Sequence, residues 1–305
     1  MAEAKRLPRE ELLQRFDLIK KQAIRRYAHL QRNENTTGDY LYVCKDAFQC
    51  FDGVIAENIR YCTNIKPNTK DSIDCGYIGL GSELLMNQMS GIGYRNLTGV
   101  AVWHSSDVFY STYCTNGENL FGCSGIRFAK HCILNKPFTP EEYAVQKGKI
   151  IAAMKERGEW GKFFPPVLSP FSYNETVAID FYPLDREEVL RREYKWNDEL
   201  GKKSVNPNLP ICDRCGLNFT TIKQAAAIYE KLGVPLPTSC QNCRFRARMS
   251  LRNPRQLWHR TCMCAVASHA WHQGAPRCSN EFDSTYDPAR PERVYCEACY
   301  QAEVF

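Results

Sequence analysis

A short motif returns at nearly even intervals through the first half of this chain. Asp46-Ala-Phe-Gln-Cys50, Asn58-Ile-Arg-Tyr-Cys62 and Asp71-Ser-Ile-Asp-Cys75 are followed by Glu83-Leu-Leu-Met-Asn87, Asn96-Leu-Thr-Gly-Val100, Asp107-Val-Phe-Tyr-Ser111 and Asn119-Leu-Phe-Gly-Cys123. The fifth positions step by 12, 13, 12, 13, 11 and 12 residues. Such a step is too short for a helix pair and suits a short strand plus a turn. The opening Asp or Asn fits, because these side chains bond their own backbone and tolerate left-handed turns. The cysteine column fits a stacked interior ladder, since a buried thiol behaves as a small hydrophobe. We read residues 38–135 as a β-solenoid whose stacked coils bury a core that no single unit could make, with two units expected per coil. A Greek-key sandwich with fortuitous spacing is the competing reading. On the solenoid reading Cys50, Cys62, Cys75 and Cys123 are packing residues rather than metal ligands or a thiol relay.

Sixteen cysteines in 305 residues need a reason. Seven lie between Cys44 and Cys132, nine between Cys212 and Cys299, and the 79 residues between the two groups hold none. The opening stretch "MAEAKRLPREELLQRFDLIKK" has no apolar core of signal-peptide length, and no segment approaches the roughly 18 apolar residues of a membrane span. A reducing, cytoplasmic setting is therefore expected, where cysteines serve as ligands or buried thiols rather than disulfides. The composition, 44% hydrophobic and 24% charged, is that of a soluble globular chain. A net charge of +6 permits an anionic partner without requiring one.

The C-terminal cysteines carry the strongest chemical signal. Cys212-x2-Cys215 and Cys240-x2-Cys243 offer two pairs of thiolates separated by 24 residues. Two such knuckles in a reducing compartment point to one structural Zn²⁺ held by four sulfurs. Between them, Thr221 to Leu232 is expected to form a capped helix stopped by Gly233, with Ile222, Ala226 and Tyr229 on one stripe. A second set follows in Cys262, Cys264, Cys278, Cys296 and Cys299. The first choice for a second ion is Cys262, Cys278, Cys296 and Cys299, with Cys264 as the alternative to Cys262. His269 and His272 of the insertion "ASHAWHQG" could join Cys264 around a further ion or be plain loop residues. Two structural zinc ions are expected.

Arg244, Arg246, Arg248, Arg252, Arg255 and Arg260 lie between these sets with no acid among them, interleaved with Phe245 and Trp258. This segment, 244–260, is the candidate surface for RNA or another nucleic acid. The competing reading pairs these arginines internally with acids such as Asp180, Glu187, Glu188 and Glu193. Arg9 to Leu30 has the spacing of an amphipathic helix, with Leu12, Phe16, Ile19, Ala23 and Tyr27 on one face, and is expected to cap the solenoid. Thr139, Pro140, Glu141 and Glu142 open a further helix, and Asp185 caps another.

The segments "FGCSGIRFAKHCILNKPFTPEEY", "SPFSYNETVAIDFYPL", "CDRCGLNF…YEKLGVPLPTSCQNCRFRAR…LRNPRQLW" and "CSNEFDSTYDPARPERVYCEACYQAEV" together resemble a family of uncharacterised cysteine-rich proteins common in candidate-phylum bacteria and environmental genomes. That resemblance implies a cysteine-rich repeat joined to paired zinc ribbons and carries no reaction with it. This chain departs from the pattern at "CMCAVASHAWHQGAPRC", where simpler relatives have a plain Cys-x-x-Cys.

The expected architecture is mainly β with α additions: an N-terminal helix (1–37), the β-solenoid (38–135), a helical and irregular connector (136–204) and two zinc ribbons (205–260 and 261–305). The expected function is that of a zinc-binding, non-catalytic binding or scaffold protein whose partner is RNA, another nucleic acid or a protein assembly, with no membrane and no small-molecule substrate. The alternative is an enzyme with a site at the solenoid edge (His104, Asp107, His131) or at an open metal position near His269 and His272. No nucleophile–base pair, phosphate loop or metallohydrolase motif is present to favour it.

Overall fold

Left-handed backbone recurs at every third residue through the repeat. Tyr40, Val43, Asp46, Gln49, Asp52, Ile55, Asn58, Tyr61 and Asn64 all have φ between 49° and 57°. The residue after each one points inward: Leu41, Cys44, Ala47, Cys50, Gly53, Ala56, Ile59, Cys62 and Ile65 are all buried. Two extended residues and one left-handed corner thus make one short side of a coil. An L-residue pays roughly 1–2 kcal/mol for a left-handed conformation. The hydrogen-bond ladders between coils and the buried row behind them offset that cost, and Asp or Asn takes many of the corners.

The computed structural model describes residues 8–200, 205–272 and 275–305. Residues 1–7 of the opening stretch, 201–204 at the end of the connector, and Gln273 and Gly274 of the histidine insertion lie outside them.

Strand register sets the coil length. Phe51 pairs in parallel with Thr63, Thr63 with Gly76, Ser106 with Glu118 and Glu118 with Lys130, each 12 or 13 positions on. A β-solenoid of about eight turns results. Each coil therefore holds one sequence repeat, which corrects the expectation of two. The chain turns after only two extended residues, so four inward residues close a coil in about twelve.

Cys50, Cys62 and Cys75 stack in one inward column, as expected of packing thiols. The neighbouring Cys62 thiol and burial push Cys50 and Cys75 upward. The next occupant is Gln88 rather than Asn87. Asn87 sits on a left-handed corner and donates to the Gly161 carbonyl at 2.6 Å. Gly99 follows because a Cβ there would stand 2.4 Å from the Gln88 side-chain oxygen. Two buried clusters fill the coils. Leu41, Ile59, Ile65, Ile78 and Leu85 join the early cysteines, and Val102, Val108 and Leu120 join Cys114, Cys123 and Cys132.

Both ends of the stack are covered. At the far end Lys136–Pro137 pairs antiparallel with Lys130–Ile133 and stops the parallel ladder. The helix Pro140–Glu156, opened by the Thr139–Glu142 capping box, then lays Tyr143 against Phe121 and Ile133. At the near end the expected long cap differs. The helix spans only Arg9–Gln22, and Leu13, Phe16 and Ile19 are each more than half exposed. Ile24–Arg26 is instead a strand, paired in parallel with Arg293–Tyr295. The first coil is tied to the C-terminal segment by Asp39, which accepts hydrogen bonds from the Thr285 hydroxyl at 2.8 Å and the His29 amide at 2.6 Å.

The chain divides into two compact units, Met1–Phe164 with Arg255–Phe305, and Pro165–Pro254. The second contains the irregular 165–200 segment, the Arg186–Arg191 helix capped by Asp185, and the first cysteine set. Among its described residues only Asn174, Val189, Cys212 and Ser239 are buried.

Candidate metal centres

In the Pro165–Pro254 unit, Cys212 lies at the start of a tight knuckle. Gly216, at φ 70°, returns its amide to the Cys212 carbonyl at 3.0 Å, and Ile211 bridges to Asn218. The second knuckle opens a helix: Cys240 is the N-cap of Gln241–Met249 and accepts from the Cys243 amide at 3.4 Å. Asp213 locks the two together, accepting from the Thr238 and Ser239 hydroxyls at 2.7 and 2.5 Å. The four sulfurs of Cys212, Cys215, Cys240 and Cys243 lie within 4.8 Å of one another. Burial opposes ionisation of Cys212, but backbone N–H groups of Cys240, Cys215 and Arg214 bring its thiol down to about 6. The intervening helix covers Lys223–Lys231, two residues later than expected. Thr221 is not its cap, and Ile222 is largely exposed.

In the other unit, three short strands and a helix deliver the later cysteines. Cys262 follows the strand Trp258–Thr261, which pairs antiparallel with Glu281–Ser284 just after Cys278. Cys296 follows Arg293–Tyr295 and occupies the N-cap position of the helix Glu297–Val304, whose first turn carries Cys299. Cys262, Cys278, Cys296 and Cys299 are all buried and gather their sulfurs within 4.8 Å. Burial pushes Cys262 up to about 12 and raises Cys299 as well. Cys264 is also buried but falls in a different group, with His269, His272 and Cys299, inside the same 4.8 Å limit. Sequence spacing left Cys262 and Cys264 open for one site; the structure uses them in separate groups.

These sets fit a tetrahedral cation. With metal–sulfur bonds of ~2.3 Å, the sulfur–sulfur edge of a tetrahedron is about 3.8 Å. Cys215 and Cys240 stand 3.9 Å apart, as do Cys278 and Cys296. A divalent ion would also reverse the desolvation cost that the buried thiolates carry without one. Two or three groups of cysteine and histidine could therefore hold metal ions.

The arginine segment is largely engaged within the chain. Arg246 pairs with Asp180 at 3.3 Å, one of the acids named for the internal reading. Arg244 donates to the Tyr229 hydroxyl at 2.6 Å. Arg255, its side chain 6% exposed, pairs with Asp52 at 2.7 Å. Arg260 is buried and donates to the carbonyls of Tyr286 and Asp287. Trp258 is half-buried in its strand. Arg255 and Arg260 are thus structural, which corrects their assignment to a nucleic-acid surface. Burial was invisible in a local run of positive charge. Arg246, Arg248 and Arg252 remain exposed.

Of the solenoid-edge residues, His104 and Asp107 are successive left-handed corners, three positions apart. Asp107 is ion-paired with Arg95 on the preceding coil. His131 lies two coils further along the ladder, edge-on to the Tyr143 ring. Among the described residues no helix is long and apolar enough to cross a membrane. Comparison with protein-family models, curated proteins and solved structures finds no match for the chain.

Proposed function

We propose that this protein is a zinc-binding, non-catalytic binding protein of the cytoplasm, belonging to the cysteine-rich repeat and zinc-ribbon family that its sequence resembles. The observation that carries the reading is the closure of the two four-sulfur sets at tetrahedral spacing. All-thiolate tetrahedra favour zinc over harder divalent ions and leave no position for substrate. Nine thiols kept available as ligands suit a reducing compartment. The solenoid then acts as a rigid spacer and surface, and zinc takes the place of a hydrophobic core in the 165–254 unit.

For the partner we propose single-stranded RNA, met by Arg246, Arg248 and Arg252 of the 165–254 unit. The supporting observation is that the helix Gln241–Met249 starts at Cys240, so Arg246 and Arg248 project from a metal-anchored backbone. A guanidinium keeps its charge at any physiological pH. A fluorescence titration with single-stranded RNA at two salt concentrations tests this, wild type against Arg246→Ala/Arg248→Ala/Arg252→Ala. Binding should weaken with salt, with the slope falling by about one for each phosphate that the variant no longer neutralises. Salt-independent binding, or a triple variant equal to wild type, removes RNA and leaves a protein assembly as the partner.

A further inference from the structure

Cys299 belongs to two ligand groups at once. It completes the four-sulfur set with Cys262, Cys278 and Cys296, and also the set of Cys264, His269 and His272. We propose that the Cys299 thiolate bridges two zinc ions, so that this unit holds a binuclear centre. The inference rests on the reading that the four-sulfur set binds zinc, and adds a second ion and a shared sulfur to it.

Ligand arithmetic supports the bridge. Two tetrahedral ions need eight ligand positions. The two groups contain seven different side chains, and sharing one sulfur fills all eight. A thiolate has lone pairs enough for two cations. Charge balance points the same way. With one ion, four thiolates leave two negative charges in a buried site, with Cys264 an unused thiol beside them. With two ions, five thiolates and two neutral imidazoles leave one. A smaller net charge costs less to bury.

The histidines are set as ligands are. His269 Nε2 lies 3.0 Å from the Glu303 carboxylate, and its Nδ1 lies 3.6 Å from Cys264 Sγ. A carboxylate on one ring nitrogen fixes the proton there and leaves the other lone pair for a metal. His272 is 4% exposed, with Nε2 3.2 Å from Cys299 Sγ. Its Nδ1 is buried with no hydrogen-bond partner among the described residues. A plain loop histidine would not be held against two thiols in this way. Trp271 donates its indole N–H to Cys299 Sγ at 3.2 Å, supporting negative charge on the sulfur to be shared. Because all eight positions are protein ligands, the centre offers no open coordination site, and the histidines serve structure rather than hydrolysis.

The test is the metal content of the full-length protein, with ¹¹³Cd NMR of the cadmium-loaded form. Wild type should carry three ions per chain, counting the Cys212 site, and two of the three cadmium resonances should be mutually coupled through the shared sulfur. His269→Ala/His272→Ala should lose one ion and the coupling. His272→Cys, which restores a ligand, should keep three ions and guards against a variant that fails to fold. Two ions in wild type and two in the double alanine variant overturn the bridge while leaving the two-site reading intact. Three ions without coupling overturn the shared sulfur. One ion or none in wild type removes the two-site reading as well.

Discussion

Arg255 and Asp52 lie 203 positions apart in sequence, yet Nε and Nη2 of the arginine both donate to one carboxylate oxygen, at 3.0 and 2.7 Å. The same Nη2 reaches Asn64 Oδ1 at 3.0 Å. Asp52 and Asn64 are left-handed corners of successive coils, so one guanidinium spans a coil step. Asp52→Ala would leave a nearly buried cation without its main partner. The expected loss is about 3 kcal/mol in urea unfolding. A loss under about 0.5 kcal/mol would mean the pair is no better than a surface ion pair.

The cysteine column should behave as packing. Cys62→Ala removes a sulfur from between Cys50 and Cys75 and leaves a small void. Stability should fall by roughly 1–2 kcal/mol, with bound metal unchanged. Release of an ion by this change would turn the ladder into a ligand set.

Chelation should separate the two units. With so few buried residues, the 165–254 unit is expected to depend for its folding on a metal ion held by Cys212, Cys215, Cys240 and Cys243. A strong chelator should make it the first target of limited proteolysis, while the β-sheet circular dichroism of the solenoid persists. Proteolysis starting within the coils of 38–135 would count against this division of labour.

Acid should act through Asp39. Burial opposes its ionisation, but hydrogen bonds from the His29 ring and amide and from Thr285 outweigh that and hold its carboxyl below the usual value. A carboxylate lowered in the folded state stabilises at pH above its unfolded value, near ~4, and loses that contribution as pH falls through the folded value. Asp39→Asn should therefore be less stable than wild type near neutrality, with the difference shrinking below about pH 4. Any metal released in acid would be released from both proteins, so the comparison isolates this group. Parallel pH profiles would show that Asp39 does not titrate with folding.

The solenoid was legible because its turn chemistry repeats near every twelfth residue. Its finer period of three was hidden. Tyr40, Val43 and Ile55 are apolar yet occupy outward corners, so hydrophobicity alone does not mark the inward row. Irregular steps then displaced the expected column to Asn87 and Val100, where the structure places Gln88 and Gly99 inward. The Cys212–Cys243 set was readable from spacing because both knuckles are local. The double membership of Cys299 was not, since it arises only when a helix and an insertion meet around one sulfur. The same holds for Arg255, whose partner is set by the winding of distant chain.

A coil that equals one sequence repeat has a consequence for descent. An in-frame duplication or deletion of a single motif adds or removes one whole rung and leaves every inward column aligned. The clamps of Asp39 and Asp52 to the C-terminal segment fix the first rungs, and Tyr143 fixes the last. Lineages of this gene are therefore free to vary in rung number, with length differences concentrated in the middle of the stack.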